Sequence, residues 1–270
     1  MIGKKSSIAL RLAFTSAFAV VTGLPGCAST ESTLMGSGTG VTASDPARMT
    51  RTGFLSDYAA LRPVLDGGGV MCWRRPDADL KKYDKVLIER IQVMLKPGSE
   101  SKGIDPTDLK MLVDYFHNAL VKALQPQMQV VDQPGPGVIR MRIALTDLVP
   151  TSVGESVLGT AVPYGFVAEA ASGVATGRPA GSTPYLGETG IEVQFRDGTT
   201  GQILGECRDT QIGRKYASDL DSSVTGAAQT WASGYMNSFT SWSYAKDAFD
   251  KWAAITARRF AVLRGATPAQ

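Results

Sequence analysis

The chain has 270 residues, 43% of them hydrophobic, with 28 basic and 25 acidic residues, one histidine and three cysteines. That length suits one ordinary globular core, and a single histidine excludes multi-histidine zinc sites. Lys4, Lys5 and Arg11 account for the whole net charge of +3, so the rest of the chain is neutral and offers no basic surface for nucleic acid.

The chain begins with a positive stretch, Lys4, Lys5 and Arg11, followed by the apolar run LAFTSAFAVV, Leu12 to Val21. The run is too short for a membrane span, which needs about 20 apolar residues, but it suits the core of a signal peptide over residues 1–26. Leu24-Pro25-Gly26-Cys27 closes it and resembles the lipobox of bacterial lipoproteins. It has Leu at −3, a small residue at −1 and then the cysteine; Pro25 departs from the Ala, Ser or Thr more usual there. An ordinary secretory signal would instead want a small residue where Leu24 stands. The resemblance implies a lipid attachment at Cys27, labelled by palmitate. At ~0.8 kcal/mol per buried CH₂, one acyl chain anchors marginally and three hold permanently. Ala28 and Ser29 follow, neither being the Asp that would mark inner-membrane retention. The expected address is therefore the periplasmic face of the outer membrane.

Residues 27–50 are rich in Ser, Thr and Gly and show no apolar periodicity, so they read as a lipid-anchored flexible tether, with a span of roughly 25–30 Å. Gly36 to Gly40, GSGTG, superficially resembles a phosphate loop but lacks the strand before and the helix after that such a loop requires. A single domain over residues 51–265 follows. Lys82 to Leu95 is β-branched and apolar, a strand broken near Glu89. Asp105 and Pro106 then start a helix, with Asp108 placed for a capping box. Leu109, Leu112, Val113, Phe116, Leu120 and Leu124 form its apolar stripe, and Pro126 ends it.

MQVVD predicts a short strand, QPGPG a turn, and VIRMRIALTDLV a long strand. In the long strand Ile139, Met141, Ile143 and Leu145 face one way and Arg140, Arg142 and Thr146 the other. Ile191, Val193 and Phe195 alternate with Glu192, Gln194 and Arg196 in a hairpin turning at Asp197 to Gly201. Trp242, Ala245, Phe249, Trp252, Thr256 and Phe260 mark a closing amphipathic helix. Each helix has one apolar stripe. The economical solution is an α+β two-layer sandwich, a mainly antiparallel sheet with amphipathic helices packed on one face.

GFLSDYAALRP (Gly53 to Pro63), YDKVLI (Tyr83 to Ile88), DQPGPGVIRMR (Asp132 to Arg142), DGTTGQIL (Asp197 to Leu204) and a Trp-containing final helix resemble the bacterial lipoprotein family of domain of unknown function 3313. The resemblance runs from about Gly53 to Phe260. It implies an envelope lipoprotein and carries no activity.

Chemistry is sparse. His117 sits at the edge of the first helix's stripe, without HxxxH or HxxE spacing and without a GxSxG. Asp219, Asp221 and Ser223 begin a calcium-loop pattern, but Thr230 stands where the closing Glu belongs. Trp73 to Pro76, WRRP, is too short for a nucleic-acid patch. Cys72 and Cys207 form either a disulfide in an oxidising compartment or two buried thiols. A bridge would be worth at most about 5 kcal/mol by loop entropy. Residues 151–184 form a small-residue apolar insertion. Within it Ser156 to Ala168 carries no charge and either packs on the domain or contacts a membrane or partner. No cofactor, metal or catalytic residue is assigned. The expectation is a non-catalytic binding or structural module of the cell envelope, with an envelope protein as partner and no nucleic acid. The alternative is a transport or assembly accessory using residues 156–168, with an enzyme third.

Overall fold

The computed structural model describes residues 41–65, 68–95, 104–152, 175–179, 182–183, 186–213 and 242–265, all within one compact unit, Glu31–Gln270. The signal segment, Cys27, Gly36 to Gly40, Ser156 to Ala168 and Ser218 to Gly226 lie outside the described residues.

Nine strands and two helices are formed among the described residues. They are β1 (Val41–Ala43), β2 (Arg62–Pro63), β3 (Met71–Arg74), β4 (Lys85–Ile88), β5 (Gln92–Val93), α1 (Pro106–Leu124), β6 (Gln129–Val130), β7 (Val138–Val149), β8 (Glu188–Asp197), β9 (Ile203–Gly213) and α2 (Ser243–Leu263). The sheet runs β2-β3-β9-β8-β7-β4-β6, with β1 also on β9 and β5 also on β7. Its centre, β7-β8-β9, is antiparallel. β4 lies parallel to both β6 and β7, and β5 parallel to β7, because α1 carries the chain back over the sheet before β6, as parallel strands require. The sheet is therefore mixed, with the antiparallel pairs in the majority.

Both helices cover one face of this sheet, as the two stripes require. Asp105 caps α1, accepting from the Thr107 N–H at 2.7 Å, with Pro106 in the first turn. Asp108 does not serve the cap in the hydrogen bonds formed; its carboxylate accepts from the Trp242 indole N–H at 2.8 Å and ties α2 to α1. Leu112, Phe116, Leu120 and Leu124 are fully buried, as are Ile139, Met141, Ile143 and Leu145 beneath them. Each such side chain contributes ~1.5–3 kcal/mol. Phe116 and Phe249 stack with ring centroids 4.6 Å apart and join the two helices.

The tether expected over residues 27–50 is corrected in its C-terminal part. β1 pairs with β9 from Val41↔Gly213 to Ala43↔Gln211, and Val41 and Met49 are both buried. Edge pairing uses main-chain groups, which side-chain composition does not reveal. The domain therefore includes residues from Val41 onward, ten before the boundary expected at residue 51. Thr42, Ile212, Glu188 and Val149 fall in one row across the sheet. The segment before β1 and the segment between β7 and β8 thus leave the sheet at the same end.

Candidate functional site

Cys72 and Cys207 lie directly opposite each other in the β3–β9 register and are joined by a disulfide, with S–S 2.06 Å and Cα–Cα 4.1 Å. The bridge lines an apolar cleft of about 100 Å³ between α2 and the sheet, whose walls include Ile191, Val193, Leu204, Ile255 and Phe260. Phe195 and Phe260 meet edge to face at 5.5 Å in its wall. A dry cavity of roughly 150 Å³ accepts benzene, and ordinary ligand sites start near ~300 Å³. The cleft is thus sized for one apolar side chain or chain end, not for a cofactor.

One carboxylate borders it. Asp209 is buried, and that burial pushes its carboxyl well above the ordinary range, against the pull of hydrogen bonds from Trp252 Nε1 at 2.7 Å and Gln211 Nε2 at 2.6 Å. Those donors fix the side chain between sheet and helix. The bond from Trp252 ties α2 to the sheet at this point.

The opposite face of the sheet is not the solvated surface that alternation implies. Glu192, Gln194, Glu206 and Arg208 are buried there, under the segment from Ser44 to Leu61. Glu192 accepts from the Thr52 N–H at 3.3 Å and the Thr52 hydroxyl at 2.5 Å. Glu206 accepts from the Ser56 N–H at 2.8 Å, the Ser56 hydroxyl at 2.7 Å and Gln194 Nε2 at 2.6 Å. Arg208 donates to the carbonyls of Met49 (3.3 Å) and Pro46 (3.1 Å). Burial, reinforced by Arg51, lowers the guanidinium's pKa. Burial and a hydrogen bond with Glu192 push the Tyr58 hydroxyl up. These contacts fasten the segment to the sheet, with the buried Arg208 Nε left without a partner among the described residues. They leave no activated nucleophile–base pair.

Of the residues singled out from sequence, the structure brings Cys72 and Cys207 together. His117 is half-buried on α1 and makes no hydrogen bond or ion pair with a described residue. Arg75 of the WRRP stretch donates Nε to the Ile203 carbonyl at 2.8 Å, a strand-end contact. No cluster of three or more metal-ligating side chains forms among the described residues, and none of their helices is long and apolar enough to cross a membrane. Sequence reading missed Glu192, Glu206, Arg208 and Asp209. The available signal was Phe54, Leu55, Tyr58 and Leu61, apolar residues that need a surface to lie on.

Among solved structures the chain finds matches of low similarity. The PelC dodecamer from Paraburkholderia phytofirmans is 11% identical, with 64% of this chain and 100% of that one covered and a TM-score of 0.30. Protein XCC0632 from Xanthomonas campestris is 9% identical over 66% and 94%, with a TM-score of 0.28. A DUF4136 family protein from Bacteroides thetaiotaomicron is 12% identical over 63% and 96%, with a TM-score of 0.24. No curated protein matches the chain. Residues 50–255 match the model of the family described as Protein of unknown function (DUF3313), and the chain belongs to that family.

Proposed function

We propose that this chain is a lipid-anchored module of the bacterial envelope, held at the periplasmic face of the outer membrane through Cys27 and contacting another envelope component without catalysing a reaction. The observation that carries it is Leu24-Pro25-Gly26-Cys27 placed directly after a basic start and a short apolar run. A disulfide between Cys72 and Cys207 fits an oxidising compartment. A cleft sized for a single apolar side chain fits contact with a neighbour better than it fits a cofactor. Palmitate labelling of wild type and Cys27→Ala, followed by membrane fractionation, tests the anchor. Label and outer-membrane sedimentation are expected only for wild type, and equal labelling of both would remove the foundation of this reading.

A second reading, an assembly or transport accessory acting through residues 156–168, is favoured by one observation. The segment before β1 and the segment after β7 leave the sheet at the same end. This reading takes that end of the sheet to be the one turned toward the anchor. Deletion of Ser156 to Ala168 should then abolish crosslinked neighbours in intact envelopes while leaving anchoring and the unfolding midpoint unchanged. An unfolded deletion variant would assign the segment to the core instead.

A further inference from the structure

We propose that the sheet face opposite the helices holds, beside the covering segment, a binding site for a phosphomonoester-type dianion, formed by Arg140, Arg142 and Arg196. The proposal is independent of the lipid anchor. Arg140 stands directly opposite Arg196 in the β7–β8 ladder, and Arg142 stands opposite Gln194. Like charges facing each other across an antiparallel pair destabilise a sheet. Three guanidiniums therefore share one patch where Thr or Gln would pack at less cost.

Their neutralisation is incomplete. Glu89 accepts from Arg140 at 2.6 and 2.8 Å and lies 3.6 Å from Arg142 Nε. It is the one carboxylate in ion-pair contact with the cluster among the described residues, and Arg196 has none. The second nearby carboxylate, Glu206, is taken by Ser56 and Gln194. Three positive charges against Glu89, with Glu206 close enough to act on Arg196, leave a local positive excess that a phosphomonoester would neutralise. The site also shows its repulsion. Burial, then Arg142 and Arg140, lower the Arg196 pKa.

The guanidiniums are oriented without being used up. Gln194 Oε1 accepts from Arg142 NH1 at 2.6 Å and from Arg196 Nε and NH2 at 3.2 and 2.8 Å. Its amide nitrogen donates to Glu206 and so sets which end faces the arginines. The Phe54 ring lies 5.0 Å from Arg142 Cζ and supports it from the covering segment. Among the described residues this leaves NH1 of Arg140, NH2 of Arg142 and NH1 of Arg196 without partners, one donor group on each of three neighbouring side chains. The Arg140 and Arg142 side chains are 34% and 26% exposed, so the patch is reachable from solvent. Forked guanidiniums held in this way suit the oxygens of a phosphate better than lysines would.

The phosphate could belong to a soluble monoester or to a lipid headgroup, and the test separates the two. Full-length protein in detergent is titrated with glycerol 3-phosphate, and full-length protein is mixed with vesicles of phosphatidylcholine with and without phosphatidic acid. Wild type, Arg196→Gln, Arg140→Gln and a control, Arg74→Gln on β3, are compared after circular dichroism shows each folded. Saturable binding of glycerol 3-phosphate, weakened about tenfold or more in both cluster variants and unchanged in Arg74→Gln, is expected. Cluster-dependent binding to phosphatidic acid vesicles alone would assign the phosphate to a lipid. Binding of neither probe, or binding unchanged in Arg196→Gln and Arg140→Gln, would overturn the proposal. The two cluster variants lie on different strands, so one that failed to fold would leave the other to decide.

Discussion

Tyr83 and Asp197, 114 residues apart, are joined by a hydrogen bond of 2.6 Å from the phenol to Oδ2. The other oxygen of Asp197 accepts from the N–H groups of Thr199 and Thr200 and from the Thr200 hydroxyl. One carboxylate thus closes the β8–β9 turn and fastens it to the start of β4. Tyr83, followed by its turn hydrogen bonds, holds the Asp197 carboxyl down at about 2.

The pH consequence has a definite sign. A carboxyl depressed on folding contributes stability above its unfolded value near 4 and loses it as the pH falls through about 2. Tyr83→Phe should lower stability by about 2 kcal/mol at neutral pH, the range of a hydrogen bond to a charged group. It should also flatten the decline between pH 4 and 2. Urea midpoints at pH 7, 4 and 2.5 measure both effects, and an unchanged acid limb would show that the Tyr83 bond does not set it.

The disulfide should be the largest single restraint on β3, the strand next to the edge strand β2. Cys72 and Cys207 are 135 residues apart, so the loop-entropy ceiling is about 5 kcal/mol. Cys72→Ala/Cys207→Ala is expected to lower the urea midpoint and to accelerate amide exchange in Met71–Arg74 more than in β7. Equal midpoints with and without reductant would place the restraint elsewhere.

The domain boundary can be tested by truncation. Removing residues 1–40, which keeps β1, should cost less than removing residues 1–50. Removing residues 1–50 should cost at least about 2 kcal/mol, because it exposes the sheet surface under Val41 and Met49. Denaturant unfolding of the two truncations side by side decides where the ordered chain begins.

The helix pair rests on its stacked rings. Phe249→Ala should cost about 3–5 kcal/mol, since Phe249 is fully buried against Phe116. Val262→Ala, at a position 46% exposed near the end of the same helix, should change stability by no more than about 0.5 kcal/mol. Similar losses in both variants would mean that α2 is bound to the sheet differently.

Much of the fold was legible because its signals are local. The steps from Leu112 to Leu124 gave α1 its face, with Asp105 and Pro106 as its start, and β7 showed in its alternation which residues lie under the helices. The polar side of the alternation told less. Alternation put Glu192 and Gln194 on the face away from the helices, but it could not show that Thr52 and Ser56 come from about 140 residues upstream to cover that face. β1 was hidden for a related reason: Val41 to Ala43 is ordered by main-chain pairing with β9, which three residues of composition cannot announce. Of the candidate site, the cysteines were visible and their opposition was not.

By itself, the sequence determined the signal-like start with its Leu24-Pro25-Gly26-Cys27, the two amphipathic helices, the β8–β9 hairpin and the layered class. Each is written in residues a few positions apart, where periodicity, turn chemistry and charge act within a short segment. Tertiary structure alone decided that Cys72 meets Cys207, that Tyr83 holds Asp197, that Glu192 and Glu206 are covered, and that Arg140 faces Arg196. Those relations depend on strand order and register, which are set by the summed burial of the whole core and by no single stretch of chain.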